Sequence, residues 1–329
     1  MPTAASSLSR RLGVYRPLLV SLVPYLLVPA LFLVGVVKID GYGTRSSVVS
    51  LLVLSSLLGL ASVGQTLAVI GGGIDLSIPA VIGMGNVMFT QFYGRGWPFW
   101  VCALVIAGFA ILVGAVNAVA SVLLRVHPLL VSLGVGLIVT GGVLSWTSLA
   151  YTGAVPGWLQ TSMSVIKHTG PIPLPGVVVV WLVVAVAVIV FQRWTRIGRE
   201  IYARGANPVA ARLAGIRSTV ALVVAFVISA LFAAMVGIFY AGYTPTADIA
   251  VGQPYFFLTI TAVVVGGTSL LGGSGGYGRT IAGALIISQM TTLLIGFGYG
   301  SSIQQSFLGV LIILLVILYG REPRVSTTV

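Results

Sequence analysis

A run of glycines near the carboxyl end of the chain has the residue types and spacing of a phosphate-binding turn. In GGTSLLGGSGGYGRT, Gly266 to Thr280, the glycines at 273, 275 and 278 spell G-x-G-x-x-G, and the last eight residues spell G-x-x-x-x-G-R-T. The first pattern is typical of dinucleotide-binding turns, and the second differs by one residue from a phosphate-binding loop. The stretch therefore raises the question of whether this chain binds a nucleotide.

The charged residues that either nucleotide site requires are missing. A phosphate-binding loop has a lysine where this chain has Arg279, and it needs an acid elsewhere to hold the metal ion. The next acid downstream is Glu322, and the residues around Gly298 offer no acid for a dinucleotide site. We therefore reject nucleotide binding. Two interpretations stay open: a permissive loop between two helices, or a broken helix whose backbone groups face a solute path.

A second glycine-broken stretch, GGGIDLSIPA, spans Gly71 to Ala80. Asp75 either caps the following helix, with Ser77 as the alternative cap, or belongs to a functional path. The second interpretation assumes that this stretch lies within the membrane. There, unwound backbone is tolerated only if it is buried or lines a cavity, and acids mark functional sites. Because VIGGG and VVGGT both end apolar runs, the two stretches also suggest a weak internal repeat that frames one pathway.

Amides on the helices beside these stretches are a third group of candidates. They either form hydrogen bonds between helices or present their amide groups to sugar hydroxyls. The full set of candidate path and gate residues is Gly71, Gly72, Gly73, Asp75, Ser77, Gly266, Gly267, Ser269, Gln65, Asn86 and Gln289.

The composition shows what kind of protein must position these groups. Of 329 residues, 58% are hydrophobic, 7% are charged and only five are acids. Because so few charges cannot solvate the surface of a soluble domain of this length, the chain is an integral membrane protein. The sequence has no paired carboxylates, no G-x-S-x-G elbow and no Cys/His cluster, so we predict no enzymatic site and no bound metal.

Apolar runs long enough to cross a bilayer, roughly 17–25 residues each, follow one another without a soluble interlude. They lie near 17–37, 47–70, 78–93, 98–124, 129–149, 176–192, 218–241, 255–271, 280–298 and 303–320. We predict an all-α integral membrane protein with about ten transmembrane helices, some short or broken, in a single domain at 17–320. The segments 1–16 and 321–329 are predicted to be cytoplasmic.

The net charge of +12 is explained by orientation in the membrane. With the amino terminus inside and ten crossings, thirteen of the Lys and Arg residues fall on cytoplasmic segments and four fall outside. This split is what the positive-inside rule predicts, and the inverted topology would reverse it. We therefore place both termini in the cytoplasm and reject nucleic acid as a partner.

One polar segment, Arg193 to Ser218, is the only long cytoplasmic connection in this topology. It is either a solvated connector that obeys the charge rule or a docking platform of two short helices offered to a soluble partner. Helical stretches are predicted around 200–204 and 209–214, separated by a turn at Gly205-Ala206-Asn207-Pro208. Asn207 can cap the second helix, and Pro208 loses no helical hydrogen bond at its first position.

Three motifs, in order along the chain, resemble one family. They are GGGIDLS at 71–77, the pattern R-x-G-R-x-I-x-A-x-G-x-N-P-x-A-A-R-L-A-G-I at 196–216, and VVVGGTSLLGG at 263–273. The chain resembles the ribose-type permease family of bacterial ABC importers, which are inner-membrane subunits for monosaccharides and related small polar solutes. One departure is visible, since the acids that relatives often carry before VVVGG are replaced by FFLTITA at 256–262.

The resemblance implies function and partners. The 193–218 loop would be the coupling segment that inserts into separate ATPase subunits, which would bind ATP and Mg²⁺, so no cofactor is expected on this chain. A second permease copy or sister permease and an extracytoplasmic binding protein would complete the importer, with lipid around it and a sugar as the solute. The expected ATPase-coupling residues are Arg196, Gly198, Arg199, Gly205, Asn207, Pro208, Ala210, Ala211, Arg212, Leu213 and Gly215. The alternative is a secondary transporter driven by an ion gradient, for which the sequence offers only Asp75 and Asp248 as candidate acids, and Asp248 falls in a predicted outer loop.

Overall fold

The computed structural model describes residues 22–147, 153–166 and 173–319. The predicted terminal segments 1–16 and 321–329 lie outside these ranges. Within them, the chain forms helices and no strand, which confirms the all-α prediction. The helices are α1 (Leu22–Lys38), α2 (Arg45–Ile70), α3 (Ile78–Gly94), α4 (Phe99–Leu123), α5 (Pro128–Thr147), α6 (Gly157–Met163), α7 (Gly176–Trp194), α8 (Arg196–Ala206), α9 (Pro208–Leu213), α10 (Ser218–Tyr243), α11 (Tyr255–Val265), α12 (Tyr277–Gly296) and α13 (Ser301–Tyr319). A short 3₁₀ turn at Ile249–Gly252 precedes α11.

Six described helices, α2, α4, α5, α7, α10 and α12, are long and apolar enough to cross a membrane. The remaining apolar helices, α1, α3, α11 and α13, are not among these six, so the count of ten transmembrane helices stays a prediction, as does the placement of the termini. One predicted run is corrected: 255–271 is helical only to Val265. The helix ends there because Gly266 and Gly267 follow, and Gly267 adopts the left-handed conformation that terminates helices.

Two helices, α2 and α10, form the centre of the fold. α2 contacts α7, α10, α11 and α12, and α10 also contacts α3 and α4. Small residues allow this close approach: a Cβ added at Gly64 of α2 would overlap Ser229 of α10, and one added at Gly237 of α10 would overlap the Ile82 carbonyl of α3. Since apolar lipid gives helices no hydrophobic reason to associate, close backbone packing of this kind holds a membrane bundle together.

Candidate functional site

The first glycine stretch terminates α2 in a Schellman turn. The Gly73 amide donates to the Ala68 carbonyl at 2.8 Å, and the Gly72 amide donates to the Val69 carbonyl at 2.9 Å. Gly72 has a φ of 81°, the left-handed conformation that this turn requires and that glycine adopts without strain. The buried end of α2 therefore stops at a fixed point rather than fraying.

The second glycine stretch terminates α11 in the same way. The Thr268 amide donates to the Val263 carbonyl at 3.1 Å, and the Gly267 amide donates to the Val264 carbonyl at 2.8 Å. Gly267 has a φ of 85°, matching Gly72. The similarity of VIGGG and VVGGT is therefore a similarity of structure, in which two apolar helices end in equivalent turns.

The two glycine stretches meet directly, although they are about 200 positions apart in the sequence. The Gly273 amide donates to the Ile70 carbonyl at 2.8 Å, so the last carbonyl of α2 is satisfied by the second stretch. This contact agrees with the rejection of a nucleotide site, and both a permissive loop and a broken helix beside a solute path stay open as interpretations of the stretch. An amide that a phosphate-binding loop would direct at a phosphate is here bound to the end of another helix.

The end of helix α8 packs into this meeting point through a third glycine. A Cβ added at Gly205 would overlap the Ile70 carbonyl and would lie 2.7 Å from the Gly273 nitrogen. A Cβ added at Gly272 would lie 2.9 Å from the Gly205 carbonyl oxygen. We call these three segments, Gly71–Gly73, Gly205 and Gly272–Gly273, the glycine junction. Here the 193–218 segment touches both helix-ending stretches at backbone distance.

Two arginines cap the carbonyl ends of the broken helices. The Arg204 guanidinium donates to the Gly71 carbonyl, and the Arg279 guanidinium donates to the Gly267 carbonyl at 3.3 Å. Helix carboxyl ends carry unsatisfied carbonyls and partial negative charge, so a cation there is favourable. Arg204 is absent from the predicted coupling residues, yet it makes the direct bond between α8 and the α2 terminus.

We expect Arg204→Gln to destabilise the glycine junction. It removes a charged hydrogen bond to a buried helix end, a class of interaction that contributes about 1.5–3 kcal/mol. The thermal unfolding midpoint of the purified protein should fall, and protease cleavage within 193–218 should become faster. Arg199→Gln is the matched control, since the Arg199 guanidinium donates to the nearby Trp194 carbonyl on an exposed surface. Equal behaviour of the two variants would contradict the capping role.

The predicted pair of short helices is present with the predicted caps. The side-chain Oδ1 of Asn207 accepts from the amides of Val209 and Ala210 at 3.0 Å each, and Pro208 is the first residue of α9. The predicted turn is too long, because α8 continues through Gly205 and Ala206 as a regular helix. The Thr195 hydroxyl, which sequence reasoning missed, caps the start of α8 by accepting from the Gly198 amide at 3.0 Å.

The two faces of the α8–α9 pair differ in exposure. Gly198 and Ala211 are buried, with Ala211 only 4% exposed, so they pack toward the membrane domain. The outward face carries Leu213, 86% exposed, and Val209, 56% exposed. The other predicted coupling residues on the exposed face are Arg196, Arg199, Asn207, Pro208, Ala210, Arg212 and Gly215. Val209 is absent from the predicted coupling residues. The signal that could have found it is an apolar residue four positions before Leu213, on the same face of a helix.

Asp75 lies in a buried polar cluster rather than at a helix cap. Its side chain is 2% exposed, and its Oδ1 accepts from the Ser77 amide at 2.9 Å and from the Ser77 hydroxyl at 2.6 Å. The side-chain Nδ2 of Asn117 in turn donates to the Ser77 hydroxyl at 2.8 Å. Neither predicted cap forms, since the Ser77 side chain bonds no amide of α3.

The second carboxyl oxygen of Asp75 is the exceptional atom of this cluster. Oδ2 is buried and has no hydrogen-bond partner among the described residues. The same is true of Asn117 Oδ1 and Ser229 Oγ. Buried polar atoms are nearly always bonded, so these three atoms have hydrogen-bonding capacity that the structure leaves unused.

The three candidate amides have different environments. Asn86 is fully engaged: its Oδ1 accepts from the Asp248 amide at 2.9 Å and its Nδ2 donates to the Gly237 carbonyl at 3.5 Å, which ties α3 to α10 and the following loop. Within the described part of the chain, Gln65 is buried with no hydrogen bond at either side-chain amide atom, and Gln289 is buried with its side-chain carbonyl oxygen unbonded. Ser269 belongs to the glycine loop, where its hydroxyl accepts from the Leu271 amide.

Several known proteins are similar in sequence to this chain over most of its length. Residues 47–316 match the family described as branched-chain amino acid transport system / permease component. The ribose import permease protein of Escherichia coli is 29% identical over 90% of this chain and 93% of its own. The fructose import permease protein of Rhizobium meliloti is 29% identical over 88% of this chain and 82% of its own. That of Bifidobacterium longum is 25% identical over 84% of this chain and 78% of its own.

No solved structure matches the chain. The family match covers well over half of the sequence, and it agrees with the six membrane-length helices among the described residues. The chain therefore belongs to this permease family of bacterial ABC importers, as a multi-pass protein of the inner membrane.

Proposed function

We propose that this permease is the transmembrane subunit of an ATP-driven importer for a monosaccharide or a similar small polar solute. The relatives are named for the import of ribose and fructose, and another relative, 27% identical, for the import of autoinducer 2. The solute would move by alternating access, and the energy would come from separate ATPase subunits that hold ATP and Mg²⁺.

The observation that carries this proposal is the two-sided arrangement of α8 and α9. Their outer face exposes Val209 and Leu213, which suit an apolar cleft of a soluble partner. Their inner face contacts the end of α2 and the Gly272–Gly273 loop that follows α11, through Gly205 and Arg204. A displacement of the pair by an ATPase would therefore reach both glycine stretches, through backbone contacts at Gly205 and the Arg204 hydrogen bond.

The solute path is proposed to run beside the buried polar cluster. Asp75, Gln65 and Gln289 have unused hydrogen-bonding atoms, which suits transient contacts with sugar hydroxyls when the helices move apart. A second permease copy or a sister permease, and an extracytoplasmic binding protein, would complete the importer. An ion-gradient mechanism is disfavoured, because Asp75 is the only buried acid among the described residues.

The decisive experiment is transport in liposomes. The permease is reconstituted with its ATPase subunits and a sugar-loaded binding protein, and pentoses, hexoses and nucleosides are tested as solutes. Uptake should require ATP inside the ATPase-facing compartment and should be unaffected by proton or sodium gradients. Uptake on an ion gradient without any ATPase would overturn the proposal.

We expect Leu213→Glu to weaken binding of the ATPase subunits by about tenfold or more, since a charge would replace an apolar anchor worth at least ~1.4 kcal/mol. Affinity can be measured by titrating labelled ATPase onto permease in nanodiscs. Ile166→Glu is the matched control, because Ile166 is equally exposed at 86% but lies on a different segment, after α6. If the two variants bind the ATPase equally well, α9 is not the docking surface.

A further inference from the structure

A groove between α3, α4 and α5 faces away from the bundle core. Its volume is about 490 Å³, and every side chain that lines it is apolar, including Met84, Met88, Phe109 and Trp146. Gly142 forms part of its floor and leaves open space above it. The groove is thus an elongated apolar channel on the surface of a membrane protein.

The length of the groove corresponds to one leaflet of a bilayer. On α5 it extends from Val135 to Trp146, which is roughly 16 Å of helix at 1.5 Å per residue. The hydrocarbon of one leaflet is about 15 Å deep, half of the usual 30 Å core. An acyl chain that lies parallel to the helices would therefore occupy the groove along its full length.

A positively charged side chain lies beside the Trp146 end of the groove. The Arg95 guanidinium carbon lies 5.6 Å from the centre of the Trp146 ring. A separate cavity of about 320 Å³ adjoins it and is lined by Gln91, Gly94, Arg95, Gly153 and Ala154. An apolar groove with a cationic polar pocket beside one end has the amphipathic pattern of a phospholipid.

Stacked aromatic rings fix the wall between the two compartments. Phe92 stacks on Trp97 with centroids 4.8 Å apart and contacts Trp146 with centroids 5.3 Å apart. Because these rings hold each other, the boundary between apolar and polar space exists before any ligand arrives, which lowers the ordering cost of binding. Tryptophan at this level is also typical of the lipid interface.

We propose that this groove binds one phospholipid, with an acyl chain between α3, α4 and α5 and its phosphate on Arg95. A helix of a second permease copy is the other possible occupant. It would fill the apolar channel, but it would leave the Arg95 pocket unexplained. The phosphate accounts for both halves of the site.

The test is native mass spectrometry of the full chain released from detergent after incubation with dipalmitoyl phosphatidylglycerol. The unaltered chain should retain one lipid per copy, and sn-glycerol 3-phosphate, which lacks acyl chains, should not be retained. Arg95→Gln should weaken retention about tenfold, Arg95→Lys should largely preserve it, and Gly142→Trp should abolish it by filling the groove. The controls are Arg45→Gln and Gly309→Trp, the latter on α13, where Gly309 also has open space.

Two results would overturn the proposal. One is equal lipid retention by Gly142→Trp and Gly309→Trp. The other is an efficient disulfide between two copies through Ile138→Cys at the groove edge, which would show that a second permease fills it. Both readouts are independent of transport, so they stay informative whichever solute the permease carries.

Discussion

Gly205→Ala is expected to uncouple the permease from its ATPase while leaving the protein inserted in the membrane. The added methyl group would overlap the Ile70 carbonyl and lie 2.7 Å from the Gly273 nitrogen, and both obstacles are backbone atoms that cannot rotate away. α8 must shift, which breaks the Arg204 bond to Gly71 and opens the Gly273 to Ile70 hydrogen bond. Overpacking of this kind costs about 1–3 kcal/mol.

The measurement is solute-stimulated ATP hydrolysis in proteoliposomes, together with solute uptake. Uptake should fall at least about tenfold, corresponding to ~1.4 kcal/mol, and ATP hydrolysis should no longer respond to the loaded binding protein. Gly108→Ala is the matched control, because a Cβ at Gly108 meets nothing within 4 Å. Normal stimulation in Gly205→Ala would show that α8 does not transmit movement through the glycine junction.

The glycine junction also shows how far the sequence could predict this site. The end of α2 was predicted at Ile70, because an apolar run followed by glycines stops a helix by local chemistry. The same signal was present at Gly266 and Gly267, but the predicted run continued past it to 271. The Asn207-Pro208 cap was predictable for the same reason. All of these features depend on neighbours within a few residues, which a single sequence displays.

The contacts between segments were not predictable from the sequence. The Arg204 bond to Gly71 spans 133 positions and ends on a backbone carbonyl, which carries no side-chain signature. The requirement for glycine at 205 comes from helix α2 passing at backbone distance, so it is invisible in the local sequence. The burial of Ala211 depends likewise on which face of α9 meets the bundle. Long-range packing determined what the local pattern left open.

Asp75→Asn is expected to reduce solute uptake strongly without unfolding the protein. The structure separates the two oxygens of this carboxyl: Oδ1 holds the turn before α3 through Ser77, and Oδ2 has no partner among the described residues. An asparagine can keep the carbonyl oxygen on Ser77 and place a neutral amide where Oδ2 was. The turn should survive, and only the chemistry of the unpartnered atom should change.

Two measurements on matched variants decide the role of Asp75. If Oδ2 serves the path, Asp75→Asn should lower uptake by about tenfold or more with an unfolding midpoint close to that of the unaltered protein. Asp75→Leu removes both oxygens and leaves the Ser77 amide and hydroxyl without their acceptor, so it should also lower stability by about 1–3 kcal/mol. If Asp75→Asn transports normally and only Asp75→Leu is impaired, the carboxyl is purely structural. The path must then lie elsewhere. Gln65 and Gln289 are the remaining candidate path residues whose buried side chains have polar atoms without a hydrogen bond among the described residues.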